Sequence, residues 1–226
     1  MLRVKKFSEI LSGALKNAGG EEQLQQKLPH AKKAKQLLAL GDDRYLSEMT
    51  RCVFRAGFVW KVIDNKWPGF EAAFDGFNPL VVAHYSDEKI DALTQDTRIV
   101  RNRTKIQSVR DNAVFILDVQ QQHGSFGSLV ANWPADDIVG LWVLLKKQGS
   151  RLGGNSGPML LRLVGKDTFI LTEDVCNALV NFGFLDSINP SSKRDQLAAQ
   201  KVFNELHQQS GRPLCELSRI LALTIS

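Results

Sequence analysis

The stretch from Leu93 to Ala113 combines apolar and basic residues in a pattern suited to holding a phosphate backbone. It reads LTQDTRIVRNRTKIQSVRDNA, and from Thr97 to Arg110 it carries five basic residues and no acidic one. Helical patterns precede and follow its centre, which predicts a helix, a tight turn and a helix. Amides and cations exposed at such a turn bind phosphates without reading base sequence. A solvated basic turn between two packed helices fits the pattern equally well.

A tryptophan beside small residues is the second candidate for ligand binding. Trp60 follows Ala56-Gly57 in the segment AGFVW, and small residues let another backbone or a flat ligand come close. Ordinary core packing is the competing interpretation of this tryptophan.

One glycine-rich segment, residues 149–158, reads GSRLGGNSGP. It matches neither the P-loop nor the dinucleotide fingerprint, and no alternation of strands and helices surrounds it. We therefore predict no nucleotide cofactor. The segment is instead predicted to be a flexible loop that approaches a ligand or DNA, with contacts from Arg151, Gly153 and Gly154.

Cysteine usage and hydropathy indicate in which cellular compartment the protein is expected. Cys52, Cys176 and Cys215 are odd in number and far apart, which argues against a disulfide framework and is typical of a reducing compartment. No CxxC or HxxxH spacing occurs, so we predict no metal site.

The first ten residues lack the apolar core of a signal peptide, and the longest apolar run, at 139–145, is too short to cross a membrane. We expect a cytoplasmic monomer.

The charge distribution favours an anionic partner. The chain of 226 residues has a net charge of +5, with 43% hydrophobic and 23% charged residues, a composition that is ordinary for a globular protein. A second acid-free basic window runs from Ile138 to Lys166. Two such windows can form one basic face in three dimensions.

The elements that would position these residues are helices. Gly41-Asp42-Asp43 is a helix-start signal, and apolar residues then recur every three or four positions from Arg44 to Ile63, which predicts one long helix. Ser86 is predicted to cap the helix that enters the basic stretch, and the exit helix should run from about Thr104 to Gln122. The chain as a whole predicts roughly ten helices in an all-α domain with little or no sheet.

Three pieces of the chain resemble the 3-methyladenine DNA glycosylase I family. They are AGFVWKVIDNK from Ala56, FEAAFDGFNPLVVA from Phe70 and DTRIVRNRTKIQSVRDNA from Asp96, and the last is the most specific. The resemblance covers about half of the chain, from Glu48 to Gly157. It implies the helix-hairpin-helix DNA glycosylase superfamily, with an all-α fold of two lobes around a base pocket. Residues 1–226 would then form a single two-lobed domain.

The resemblance also implies roles for the candidate residues. The basic stretch becomes the hairpin of a helix-hairpin-helix over about 86–122, which grips the strand beside a flipped nucleotide. Trp60 matches the family's base-stacking tryptophan, with Cys52 and Phe58 as its pocket neighbours. Flipping costs a few kcal/mol, and stacking returns roughly 1–3 kcal/mol per base. The predicted DNA contacts are Val100, Arg101, Asn102, Arg103, Thr104, Lys105, Arg151, Gly153 and Gly154.

The chain departs from the family's pattern at three places. The family's pocket glutamate lies eight residues before the tryptophan, where this chain has Cys52. The family's Tyr-His-Asp segment has no counterpart before Asp42. Its structural zinc needs cysteine and histidine near both ends, and the first 29 residues here contain neither. The resemblance therefore does not carry over the base-reading glutamate or the zinc.

A catalytic carboxylate is a further implication. In the wider superfamily an aspartate begins a helix after a short extended piece and stabilises the positive charge that develops on the deoxyribose. Thr168–Leu171 matches such a piece, so Glu173 or Asp174, which follow Thr172, are the candidates. An ordinary cap with first-turn acids explains them equally simply, and a cationic alkylated base needs little acid–base help to leave.

These observations lead to one predicted function and two alternatives. We predict a monofunctional glycosylase of base excision repair that hydrolyses the N-glycosidic bond of an alkylated purine, such as 3-methyladenine, in double-stranded DNA. No lysine is an obvious Schiff-base nucleophile, so no lyase activity is expected. One alternative, suggested by Cys52, is a catalytically inactive module of the same fold that binds damaged DNA. The other is a helical protein–protein adaptor whose basic windows are only solvated.

Overall fold

The computed structural model describes residues 7–225 and is built from helices. No strand occurs among those residues, which confirms the predicted all-α class. The described chain forms two compact units. Unit 1 contains residues 7–32, 134–140 and 165–225, and unit 2 contains residues 33–133 and 141–164.

The α-helices are more numerous and shorter than the hydrophobic pattern predicts. In chain order they are α1 (Phe7–Ala18), α2 (Glu21–Lys27), α3 (Ala34–Leu38), α4 (Asp42–Arg55), α5 (Trp60–Asn65), α6 (Trp67–Ala73), α7 (Pro79–Ala83), α8 (Asp87–Leu93), α9 (Arg103–His123), α10 (Phe126–Asn132), α11 (Ile138–Gln148), α12 (Ser156–Val164), α13 (Glu173–Asn181), α14 (Lys193–Ser210) and α15 (Leu214–Leu223). Short 3₁₀ turns lie at Asp75–Phe77 and Ala135–Asp137.

Helix α4 is the centre of unit 2, where it packs against α9, α10 and α12. Its inward face, including Leu46, Met49 and Phe54, is fully buried. A ladder of stacked aromatic rings from α6 and the following turn covers a neighbouring part of this core. Arg44 on α4 forms a two-pronged ion pair with Glu71 on α6 at 2.8 and 3.0 Å, which ties the ladder to α4.

The long helix predicted from Arg44 to Ile63 is wrong, because the chain leaves the helical path between α4 and α5. Ala56 is extended, with φ −64° and ψ 115°, and Gly57 has a φ of +76°. Side chains other than glycine rarely adopt the latter conformation. We call residues 56–59 the pocket loop, because they lead directly into Trp60.

The predicted helix, turn and helix are confirmed in α8, the basic turn (residues 94–102) and α9. Ser86 caps α8 by accepting the Lys89 amide at 3.3 Å, and Asn102 caps α9 by accepting the Lys105 amide at 3.1 Å. Asn102 satisfies one of the amides that a helix start leaves unpaired. The boundaries of α9 differ from the predicted ones by about one residue.

Helix α6 holds the basic turn in place through a backbone contact. A Cβ added to Gly69 would lie 2.6 Å from the Arg98 carbonyl oxygen, so only glycine permits this approach. The Lys66 ammonium donates to the Thr97 carbonyl at 2.7 Å. Two adjacent residues of the turn are therefore anchored by Gly69 of α6 and by Lys66, which directly precedes α6.

Unit 1 packs α1, α2, α13, α14 and α15 together. Residues 168–171 are extended without forming a strand, and Thr172 caps α13 by accepting the Val175 amide at 3.3 Å. Within the part of the chain that the structure describes, no helix is both long and apolar enough to cross a bilayer.

Candidate functional site

A cavity of about 130 Å³ opens in unit 2 beside Trp60. Its size is comparable to the ~150 Å³ cavity that admits one benzene molecule, so it suits a planar ring. We call it the Trp60 cavity. Its walls come from the end of α4, the first residue of α5 and the start of α12, through Cys52, Arg55, Ala56, Trp60, Asn155, Ser156 and Met159.

Trp60 presents an indole ring that is only partly covered by protein. The residue is 50% exposed, whereas a core tryptophan such as Trp67 is 8% exposed. The Arg55 guanidinium lies 4.9 Å from the Trp60 ring centroid and is paired with Asp64 at 2.6 Å. The cation–π contact holds the ring in place, and ordinary core packing does not describe this tryptophan.

Sequence reasoning missed Arg55, Asn155, Ser156 and Met159 as cavity residues. One signal was present for Arg55, which lies three residues after Cys52 and therefore on the same helix face. Asn155 directly precedes α12, Ser156 and Met159 lie on it, and only the packing of α12 on α4 brings them to the cavity. No local sequence pattern specifies that contact.

Cys52 lies in the cavity wall with 5% of its surface exposed. Burial, with a further contribution from Glu48, raises the pKa of its thiol to about 12. The group is neutral near pH 7 and cannot act there as an acid–base catalyst or carry the negative charge of a glutamate. No carboxylate lines the Trp60 cavity within the described part of unit 2.

The glycine-rich loop (residues 149–155) borders a second opening, which shares Ala56 and Ser156 with the Trp60 cavity. This opening has a volume of about 360 Å³, and Arg151 and Gly153 line it. Gly154 has a φ of +57° and is not among its lining residues. The predicted contacts Arg151 and Gly153 are thus placed beside the cavity.

Buried Asn112 on α9 fixes this loop. Its side-chain amide donates to the Ser150 carbonyl at 3.1 Å and accepts the Ser150 amide at 2.7 Å. The next residue, Arg151, has a φ of +63°, a conformation that is costly for a residue with a Cβ. The two hydrogen bonds help to hold Arg151 in this strained position at the rim of the opening.

The basic turn exposes backbone donors at the start of α9. Within residues 7–225 no protein acceptor takes the amides of Val100, Arg101, Arg103 and Thr104. The start of an α-helix also carries a partial positive charge. This combination is suited to a phosphate group.

The cations of the turn differ in their environments. Arg101 is exposed and has no ion-pair partner within residues 7–225. Arg103 is exposed and paired with exposed Asp91. Lys105 is 5% exposed, and its ammonium donates to carbonyl oxygens at the end of α4. The side chain of Lys105 thus points into unit 2 and not into solvent, and its predicted contact with DNA stays a prediction.

Three other predicted site residues lie elsewhere. Phe58 is 40% exposed and lies against the Lys105 ammonium, 4.5 Å from its ring centroid, but it does not line the Trp60 cavity. Glu173 and Asp174 are exposed in the first turn of α13, in unit 1. The structure therefore shows them as first-turn acids of a capped helix, and their catalytic role stays a prediction.

The three cysteines do not fit the zinc of the resembling family. All three are buried thiols, and burial raises the pKa of Cys52 and of Cys176, which disfavours the thiolate that zinc requires. Within residues 7–225 no group of three or more histidine, cysteine or acidic side chains is arranged to hold a metal.

Comparison with known proteins finds matches to the segment that contains Trp60 and the basic turn. A family model described as methyladenine glycosylase matches residues 38–141. DNA-3-methyladenine glycosylase 1 of Escherichia coli (strain K12) is 34% identical over 76 residues, which are 34% of this chain and 41% of that protein. The chain thus matches about two-fifths of the length of this relative.

Solved structures of 3-methyladenine DNA glycosylase I share the fold. One from Staphylococcus aureus, described as the structural basis of 3-methyladenine recognition, has a TM-score of 0.50 at 23% identity and covers 55% of this chain and 77% of that chain. A tyrosine-to-phenylalanine variant in complex with 3-methyladenine has a TM-score of 0.51 at 21% identity, with 64% and 84% covered. Over residues 38–141 the chain is therefore similar to the methyladenine glycosylase family, and it shares the fold of these solved structures.

Proposed function

We propose that this protein is a monofunctional DNA glycosylase of base excision repair, and that its substrate is duplex DNA with an alkylated purine such as 3-methyladenine. One observation carries the proposal: unit 2 combines a half-exposed indole over a ring-sized cavity with a helix start whose amides are unpaired. The family match over residues 38–141 supports it. A flipped base would stack on Trp60 while the basic turn holds the backbone.

The proposed reaction is hydrolysis of the N-glycosidic bond. A water oxygen bonds to C1′ of the deoxyribose, the electron pair of the broken bond goes to the base nitrogen, and the water proton passes to solvent. An N-alkylated purine is already cationic and leaves as a neutral molecule, so no proton must be supplied to it. Electrostatic stabilisation of the sugar is then the main requirement, and Glu173 and Asp174 are the proposed carboxylates.

The proposed roles of the other residues follow from their positions. Trp60 stacks on the base, and Arg55 orients Trp60 through the contact at 4.9 Å. Arg101 and Arg103 add positive charge beside the unpaired amides of the basic turn. Arg151 offers a further cation at the opening that adjoins the cavity.

The test is release of free base from a methylated duplex by purified protein. We expect the wild type to release base and Trp60→Ala to lose most of that activity, since stacking is worth about 1–3 kcal/mol. The double variant Arg101→Ala with Arg103→Ala should bind DNA more weakly but release base at saturation. Lys35→Ala, an exposed lysine on α3, serves as the control. If the wild type binds the duplex and releases no base, the enzymatic proposal is wrong.

The second candidate is a module of the same fold that binds damaged DNA without catalysis. The absence of a carboxylate among the unit 2 residues that line the Trp60 cavity favours it, as does the neutral thiol of Cys52. This candidate predicts tighter binding to a methylated duplex than to an unmodified one, with no base released. Loss of that preference in Trp60→Ala would place the recognition at Trp60.

A further inference from the structure

Lys105 occupies a position that is unusual for a lysine. It is the third residue of α9 and lies close to the positive end of the helix dipole, where a cation is disfavoured. It is also 5% exposed, although lysine is rarely buried without a partner. Burial, and then the nearby charge of Arg151, lower the pKa of its ammonium group. Some compensating interaction must hold this side chain inside unit 2.

The compensation comes from the end of α4. The Lys105 ammonium donates to the Ala56 carbonyl at 2.6 Å and to the Phe54 carbonyl at 3.3 Å. A helix end leaves its last carbonyls without intrahelical donors, and a cation there is favoured by the helix dipole. The ammonium also lies 4.5 Å from the Phe58 ring centroid. Lys105 thus contacts both ends of the segment from Phe54 to Phe58.

This segment includes the pocket loop, which has few other anchors. The Phe58 amide donates to the Arg55 carbonyl at 3.2 Å, and a Cβ at Gly57 would meet no atom within 4 Å. Val59 is 70% exposed. Beyond the loop, Trp60 begins α5 and forms a wall of the cavity. The position of Trp60 therefore depends on how the Ala56 end of the loop is held.

Lys105 is also linked to the basic turn. Asn102 and Lys105 share the first turn of α9, where the Asn102 side chain accepts the Lys105 amide. Among residues 7–225, the charged group that faces the ammonium is Arg151 on the glycine-rich loop, while the end of α4 offers carbonyls and phenyl rings. A shift of the turn would move the ammonium and, through it, the Ala56 carbonyl.

We propose that Lys105 is a positioning residue that couples the basic turn to the pocket loop, so that DNA held at the turn sets the position of Trp60. The inference rests on the proposed function, because it assigns the turn to DNA and Trp60 to the base. Lys105 contacts neither in this scheme and acts only through the loop.

The first test separates binding from base release. In Lys105→Met the side chain keeps a similar length and loses the donors. We expect DNA affinity within about twofold of wild type and a single-turnover rate at saturating protein lower by on the order of a hundredfold, the loss typical of a misplacement near 1 Å. Arg101→Ala should show the reverse, and Lys35→Met should match wild type. If Lys105→Met weakens binding as Arg101→Ala does and leaves the saturated rate unchanged, the coupling is wrong.

The second test uses pH. Because the pKa of Lys105 is lowered, the wild-type rate should fall on the alkaline side before an ordinary lysine near 10.4 would lose its proton. Arginine stays charged, so Lys105→Arg should keep most of the rate and lose this alkaline limb. An alkaline limb of the same pKa in Lys105→Arg would overturn the assignment.

A third measurement does not depend on base release. Acrylamide quenching of Trp60, taken as the difference from Trp60→Phe, should change when an unmodified duplex is added to wild type. The change should be absent in Lys105→Met at a DNA concentration that saturates it. An equal change in both proteins would refute the coupling even if the wild type releases base. A change confined to wild type would support the coupling even if no base were released. The quenching experiment therefore tests the coupling, and the base-release assay tests the proposed activity, independently of each other.

Discussion

At the scale of single residues, burial decides what the polar groups of unit 2 can do. Cys52 presents a neutral thiol to the Trp60 cavity because its pKa is raised to about 12. Lys105 caps carbonyls at the end of α4 because its side chain points inward. Arg101 has the same charge as Lys105 but stays in solvent. Two cations of the same turn region are thus separated by burial, since Lys105 supports the end of α4 and Arg101 is exposed to solvent.

The raised pKa of Cys52 predicts a pH dependence of stability. In the unfolded chain the thiol ionises near 8.5, and in the folded protein at about 12. Its contribution is therefore complete below about pH 8.5 and is lost as the pH rises toward 12, by about 1.4 kcal/mol per unit. Urea unfolding at pH 8, 9 and 10 should show a shallower decline for Cys52→Ser than for wild type. Parallel declines would contradict this prediction.

At the scale of elements, the basic turn depends on α6 as much as on its own flanking helices. Gly69 allows the Arg98 backbone to approach, and Lys66 binds the Thr97 carbonyl. Because the unpaired amides follow within a few residues, the geometry of the proposed phosphate-binding surface depends on a helix that contributes no cation to it.

Gly69→Ala should therefore disturb DNA binding without removing a charge. The added Cβ would lie 2.6 Å from the Arg98 carbonyl oxygen and 3.1 Å from its carbon, and the backbone must shift to relieve this overlap. We expect a loss of about 1–3 kcal/mol in the free energy of unfolding, together with weaker DNA binding. Gly13→Ala in α1 is the control, since its Cβ would meet Thr224 at an ordinary 3.6 Å. Unchanged stability in Gly69→Ala would show that the turn adapts.

The elements also show which features could be predicted from sequence. The boundaries of α8 and α9 were predictable because Ser86 and Asn102 are local caps. The break at residues 56–59 was not, since the apolar period continues through it and the stabilising donor lies on α9. Trp60 could be proposed as a pocket residue because it matches the family's base-stacking tryptophan, while the partners that α12 brings to the cavity could not be predicted from any local pattern.

At the scale of the whole molecule, a modest net charge of +5 is concentrated in particular segments. The exposed cations of the basic turn and the glycine-rich loop, Arg101, Arg103 and Arg151, belong to unit 2, as does the Trp60 cavity. The counterions released by phosphate contacts make DNA affinity depend on salt.

The salt dependence of affinity should distinguish exposed from buried cations. Each phosphate contact contributes about 0.9 to the slope of log affinity against log salt. Arg101→Ala and Arg151→Ala should each reduce the slope by about that amount, whereas Lys105→Met should leave it unchanged. Titrations of an unmodified duplex at several salt concentrations measure these slopes. A reduced slope in Lys105→Met would mean that its ammonium reaches the DNA.

Under the proposed function, the left-handed backbone of Arg151 would lower stability in exchange for a contact with DNA. A glycine at this position would adopt a φ of +63° without steric cost, so selection for thermal resistance alone would favour losing the arginine. A protein optimised in that way would be more robust but would lack a cation beside its cavity. Retaining arginine under such pressure would be a sign that this loop is maintained for DNA and not for the fold.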